Sequence, residues 1–261
     1  MSNNLILLKI ENNVARITLN RPEVFNSFNR KMALRLQDVL HDCEANTAVR
    51  AIVLTGNGKA FCAGQDLKEV TDPDINPGFK KILEEHYNPI ILKIRSIKKP
   101  IIGAINGVAA GAGANIALAC DIVIADEKVS FIQAFSLIGL IPDSGGTFFL
   151  PRLIGFQKAT ALAMLGDKIS AIEAERLGMI YKHVPSEEFE TTINKLSLKL
   201  AGMPTKALGM IKELFNKSMT NDLETQLALE SKLQIEAAQS NDYAEGVSAF
   251  IEKRKPEFKG N

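Results

Sequence analysis

The feature that most constrains this chain is an alternation of short apolar runs with helical periods, which stops at about residue 187. The runs Leu5–Ile10 and Val14–Leu19 flank the turn-like triplet Glu11-Asn12-Asn13 and predict a hairpin. Residues 29–45 place Met32, Leu34, Leu36, Val39 and Leu40 at helical spacing behind Asn29, a residue suited to capping. Residues 51–55 read as a buried strand ended by Gly56-Asn57-Gly58, and residues 71–78 as a breaker-rich loop before a helical stretch over 79–96. Residues 100–105 then predict a strand, Asn106-Gly107 a turn, 112–120 a helix and 121–125 another strand. Strands alternating with helices argue for an α/β fold in which helices cover stacked sheets. Beyond the alternation only helical periods remain, as in residues 222–238 with Leu223, Leu227, Leu233 and Ile235. A soft boundary therefore falls near 186–200, dividing a core over 1–190 from a helical C-terminal region over 191–261.

Charge narrows the function. With 31 basic against 30 acidic residues and a formal net charge of +1, no whole-molecule field favours nucleic acid or an anionic membrane. No apolar run reaches the ~18 residues of a membrane span, and Met1–Lys9 lacks the basic start and cleavage site of a signal peptide. Cys43, Cys62 and Cys120 are odd in number and widely spaced, as expected of reduced thiols in a cytoplasm. No His/Cys cluster has metal-ligand spacing, so no metal is expected.

Three segments combine glycine, small residues and a polar group. The first runs from Lys59 through Ala60, Ala63, Gly64, Gln65 and Asp66 to Leu67, where a strand meets a helical start and backbone N–H groups are free to face an anion. Taken alone it reads better as an ordinary strand-to-helix turn with Asp66 as cap. The second runs from Ala104 to Asn115, with small side chains around Gly111 that let a ligand approach the backbone. Gly111-x-Gly113 hints at a dinucleotide fingerprint, but Ile116 stands where the third glycine belongs, which ranks a nucleotide-dependent oxidoreductase last. A Walker A reading fails for want of Gly-Lys-Ser/Thr. The third is Gly139 to Thr147, in which Asp143 is either a helix N-cap or a catalytic carboxylate. Its Asp143-Ser144-Gly145-Gly146 imitates a serine-protease nucleophile loop, yet His41, His86 and His183 offer no triad context.

In order and spacing, these segments resemble the crotonase (enoyl-CoA hydratase/isomerase) superfamily. The resemblance runs from Asn20-Arg21-Pro22-Glu23 and Asn26, through Ala63-Gly64 and Gly111, to Leu150-Pro151-Arg152 and Phe250 to Pro256. It implies a spiral of ββα units with a helical C-terminal trimerisation region, assembled as a homotrimer or homohexamer. It further implies an acyl-CoA thioester as substrate, with coenzyme A part of that substrate and no separate cofactor. The N–H groups of Ala63 and Gly111 are implied as an oxyanion hole. Arg21, Ala60, Gln65, Asp66, Leu67, Phe135, Phe250 and Lys253 are implied at the substrate and coenzyme A, the last two often from a neighbouring subunit. Two donors aimed at a thioester oxygen acidify the α-carbon and stabilise an enolate.

The fate of such an enolate depends on the carboxylates around it. Family hydratases hold water between two glutamates, and the positions that match them are Asn115 and Phe135, neither of which serves as a base near neutral pH. Asp143 remains, in surroundings expected to be apolar from Phe135, Leu140 and Ile141, which would raise its pKa. The stretch from Asp121 to Thr147 resembles the isomerase subgroup that rearranges ring-epoxidised phenylacetyl-CoA and shifts Δ3 double bonds to Δ2. That resemblance implies Asp143 as acid/base with Asn115 as polar helper. The alternatives are a hydratase with atypical residues and a non-catalytic acyl-CoA-binding subunit.

Overall fold

The structure is a computed structural model that describes residues 4–261, so the first residues of the segment read against a signal peptide lie outside it. β1 (Ile6–Glu11) and β2 (Val14–Leu19) pair antiparallel across Asn12-Asn13, with Glu11 opposite Val14. Both asparagines have positive φ, 50° and 63°, the handedness that a two-residue hairpin loop requires. α1 (Arg30–Ala45) starts where Asn29 accepts a hydrogen bond from the Met32 N–H at 3.0 Å. Its buried stripe is Met32, Ala33, Leu36, Val39, Leu40 and Cys43, and Leu34 falls off that stripe to the exposed side.

Next come β3 (Ala51–Gly56), β4 (Ala60–Cys62) and α2 (Leu67–Thr71). The expected helix over 79–96 has three parts: α3 (Phe79–Lys81), a π-helical segment Ile82–Tyr87, and α4 (Asn88–Ser96). β5 (Ile101–Ile105), β6 (Val108–Ala110) and α5 (Ala112–Leu118) come after it, then β7 (Ile122–Asp126), β8 (Ser130–Ile132), α6 (Gly146–Ile154) and α7 (Phe156–Leu165). β9 (Lys168–Ser170), α8 (Ala171–Arg176) and β10 (Lys182–Val184) complete the strands. α9 (Phe189–Ala201), α10 (Thr205–Ser218), α11 (Leu223–Ala238) and α12 (Asn241–Ile251) end the chain.

The strands form two sheets, a six-stranded one ordered β1-β2-β3-β5-β7-β10 and a four-stranded one ordered β4-β6-β8-β9. Successive strands alternate between them: β3, β5 and β7 lie in the large sheet, and each is followed by β4, β6 or β8 in the small one. This alternation is the ββα spiral. Pairing is parallel from β2 to β10 and from β4 to β8. Parallel sheets need cover on both faces, and β3 shows how the sequence supplies it. Ile52 and Leu54 enter one core with α1 and α4, while Ala51 and Val53 enter a second with Phe189, Ile193 and Leu200 of α9. α9 crosses the expected boundary at residue 190, so the core of the large sheet extends into the helical region.

Candidate active site

The small sheet places the ends of β4 and β6 side by side. Behind β6, α5 begins so close to β4 that a Cβ on Gly113 would lie 2.3 Å from the Cys62 carbonyl oxygen. Glycine is what permits this approach, and it sets the N-terminus of α5 beside the turn Ala63-Gly64-Gln65. The turn is held from its other side. Asn26 is fully buried, donates to the carbonyls of Asn57 and Ala60, and accepts from the Arg21 N–H. The Arg21 guanidinium meets Asp66 at 2.8 Å and donates to the Ser27 carbonyl. Asp66 also caps α2 through the Lys68 N–H.

A cavity of about 670 Å³ opens at this junction. It gathers Ala63, Gln65, Leu67, Gly111, Phe135 and Asp143 from the expected site residues, with Leu140 and, unforeseen, Tyr87. Ile82 and Tyr87, the two ends of the π-helical segment, both reach it. The extra residue per turn in such a segment re-aims side chains, and here it brings both into one wall.

The backbone donors differ from expectation. The Ala63 N–H donates to the Phe25 carbonyl at 3.0 Å, and the Gly111 N–H donates to the Ile132 carbonyl at 2.9 Å. Both are committed inside the protein and have nothing left for a ligand. In the turns that follow β4 and β6, Gln65 and Ala112 line the cavity with N–H groups that have no protein acceptor among the described residues. Gln65 flanks the parallel bridge to Phe28, whose bonds use Gly64 O and Asp66 N and bypass it. Ala112 is the first residue of α5, one of the orphan donors that every helix start exposes. The helix-start rule points to the first N–H groups after Gly111 as a set, without singling out that of Ala112. The Gln65 side chain is clamped: Tyr87 Oη donates to its Oε1 at 3.0 Å and its Nε2 donates to Glu69 at 2.9 Å. Glu69 in turn accepts from the Arg30 N–H.

The carboxylate among the residues that line this cavity is Asp143. Burial pushes its pKa up from the ordinary carboxylate range, and a 2.8 Å hydrogen bond from Ser144 Oγ to Oδ1 works against that rise. Asp143 is not a helix cap, because α6 begins behind Gly145 with no side-chain cap. Of the apolar residues expected around it, Phe135 and Leu140 line the cavity, whereas Ile141 is 80% exposed and turned away.

Asn115 requires a correction. It is fully buried, does not line the cavity, and spends its amide on the protein: Nδ2 donates to the Asp143 carbonyl and Oδ1 accepts from Gln133 Nε2, both at 2.8 Å. A carbonyl only accepts, so the amide orientation is determined. Asn115 therefore holds the Asp143 loop through its backbone and lies outside the cavity lining. The loop fits closely enough that a Cβ on Gly146 would lie 2.3 Å from Asn115 Nδ2.

Other expected residues also lie apart. Ala60 is buried in β4, and Arg21 and Asp66 are engaged with each other behind the turn. Phe250 is 86% exposed and lines a separate groove with α11 and the C-terminal tail. Lys253, exposed just beyond α12, does not line the cavity either. Cys62 is sealed within β4, where burial pushes its thiol up to about 12, so it is no nucleophile for this site.

The profile of the enoyl-CoA hydratase/isomerase family matches residues 9–261. The chain is 47% identical to 1,2-epoxyphenylacetyl-CoA isomerase of Escherichia coli, over 98% of both chains. It is 46% identical to a probable enoyl-CoA hydratase of Rhodobacter capsulatus, over 100% of both. Among solved structures, an enoyl-CoA hydratase from Bacillus anthracis superposes with a TM-score of 0.92 at 33% identity, covering 99% of this chain and 100% of the other. The chain belongs to the enoyl-CoA hydratase/isomerase family, the crotonases, whose members act on acyl-CoA thioesters.

Proposed function

We propose that this enzyme isomerises an unsaturated or epoxidised acyl-CoA through a thioester enolate, with Asp143 as the acid/base. The observation that carries this reading is what one cavity brings together: N–H groups of Gln65 and Ala112 without a protein acceptor, and a single carboxylate of raised pKa. The thioester oxygen sits against the two donors. Asp143 takes a proton from C2 of a 3-enoyl chain, and the electron pair delocalises onto that oxygen. The same carboxyl returns the proton at C4, so the C3=C4 bond becomes C2=C3 with no net gain or loss of atoms. The step needs no resident cofactor, since coenzyme A enters with the substrate.

Hydration would need a second group to hold water. Phe135 occupies that part of the wall and Asn115 is buried behind it, which favours proton shuttling. The likeness to the Escherichia coli isomerase supports ring-epoxidised phenylacetyl-CoA as one substrate, and with it a role in phenylacetate breakdown. In the helical C-terminal part, Phe215, Leu223, Leu227, Ile235, Phe250 and Ile251 are exposed, which supports assembly as a trimer or a dimer of trimers. The free, buried cysteines suit a cytoplasmic location. Turnover of 3-enoyl-CoA, crotonyl-CoA and epoxyphenylacetyl-CoA tests the assignment. Loss of the conjugated absorbance of crotonyl-CoA, with no isomerisation of the other two, would make the enzyme a hydratase.

A further inference from the structure

Asp143 is held at three points. Its carbonyl accepts from Asn115 Nδ2 and from the Gly146 N–H, each at 2.8 Å, and its Oδ1 accepts from Ser144 Oγ at 2.8 Å. No hydrogen bond occupies Oδ2 among the described residues. Ser144 is 2% exposed and has φ 51°, a left-handed backbone that costs a side-chain-bearing residue energy and that Gly145 beside it adopts freely at φ 76°. The helix behind does not explain a serine here, because α6 has Gly145 at its N-cap and takes no side-chain bond there. The bond to Asp143 is the one the hydroxyl makes.

We propose that Ser144 is a positioning residue for proton transfer: its hydroxyl occupies Asp143 Oδ1 and leaves Oδ2 alone to meet the acyl carbon. This rests on Asp143 being the acid/base. Because Ser144 donates, the bond survives the cycle, with Oδ1 accepting both while Asp143 is a carboxylate and after Oδ2 has taken the substrate proton. The strained backbone is tolerated for an oriented base, a usual trade at functional sites. The hydroxyl also favours the ionised carboxylate, against the burial that disfavours it. Few other charges face the group. Across the cavity Tyr87 is the one further titratable residue, and burial keeps it neutral by raising its pKa well above the ordinary value. α5 presents the uncharged Asn115, the segment after β8 the uncharged Gln133, and on α6 Arg152 stacks over Phe148 at 3.9 Å.

The test is the pH profile of kcat for a 3-enoyl-CoA with the full-length Ser144→Ala and Ser144→Gly variants. Losing the donor should move the acid limb to higher pH in both, lower the plateau about tenfold, and leave KM nearly unchanged. Ser144→Gly relieves the left-handed backbone, so it keeps the experiment interpretable if the alanine variant folds poorly. An unmoved acid limb in the folded glycine variant, whether kcat is wild-type or uniformly lowered, overturns the inference. Asp143→Asn separates the two levels. If that variant is inactive while Ser144→Gly retains the wild-type profile, only the positioning role falls. If Asp143→Asn is active, the acid/base assignment falls and the positioning role with it.

Discussion

The two sides of the cavity are built differently. In the proposed mechanism, the working atoms on the donor side are backbone N–H groups of Gln65 and Ala112, to which side-chain identity contributes little directly. On the proton side the working atom belongs to one side chain, Asp143, whose direction depends on Asn115, Ser144 and the close fit of Gly146. The donor side should therefore tolerate side-chain replacement and fail only when an N–H is removed. The proton side should fail at a single substitution and degrade with each support withdrawn.

The largest effect is expected from Asp143→Asn, which removes the base and should lower kcat by roughly 10²–10⁴-fold while acyl-CoA still binds, as steady-state kinetics and calorimetric titration would show. Near-normal turnover would remove the contrast between the sides. The same variant has a stability signature. The folded-state pKa of Asp143 lies above its unfolded value, so the native protein binds this proton more tightly. Ionisation thus weakens the fold as pH rises through that window, and Asp143→Asn should melt higher than wild type at neutral pH. The gap should close below the unfolded carboxylate pKa of about 3.9, a trend that thermal melts across pH would follow.

Next in size is Ala112→Pro. Proline is tolerated at the first position of a helix, and here it deletes the N–H proposed to bind the thioester oxygen. A loss of about 10²–10³-fold in kcat, with helical circular dichroism retained, is expected for one oxyanion donor. Ala112→Ser keeps the N–H and should stay close to wild type, and a comparable loss there would contradict the donor-side reading.

Asn115→Ala should cost about 1–3 kcal/mol in denaturant unfolding, because it strands the Gln133 amide and leaves the Asp143 carbonyl with the Gly146 N–H as its one donor. Turnover should fall with it as the loop relaxes. The smallest effect is expected from Tyr87→Phe, which removes one donor to Gln65 Oε1. About 0.5–1.5 kcal/mol of stability and a modest change in kcat are expected, since the Gln65 N–H itself remains. A loss equal to that of Ala112→Pro would show that the clamp on Gln65 matters as much as the donors.

Local signals were legible where one segment settles its own structure. The Asn12-Asn13 turn, the Asn29 cap and the end of strand structure after Val184 arise from neighbouring residues alone. The strands β6, β8, β9 and β10 were not legible, because three residues are too few to show a period of two. In α11 the apolar residues are legible but their burial is not: Leu233 is buried, while Leu223, Leu227 and Ile235 face out. Asp143 could be singled out as the candidate base from its segment together with the family resemblance, since a carboxylate among apolar neighbours carries its chemistry in its identity.

The pair of backbone donors is the instructive case. Ala63 and Gly111 lie within one or two residues of the N–H groups that are free. The sequence by itself determined the order of the segments, the alternation of strands with helices and the presence of two glycine-rich turns able to present N–H groups. Which N–H in each turn is left over was decided by the tertiary structure alone. The acceptors that consume the others, Phe25 O and Ile132 O, come from chain segments tens of residues away. Every amide carries the same donor, so its availability is a property of the partners that folding brings to it.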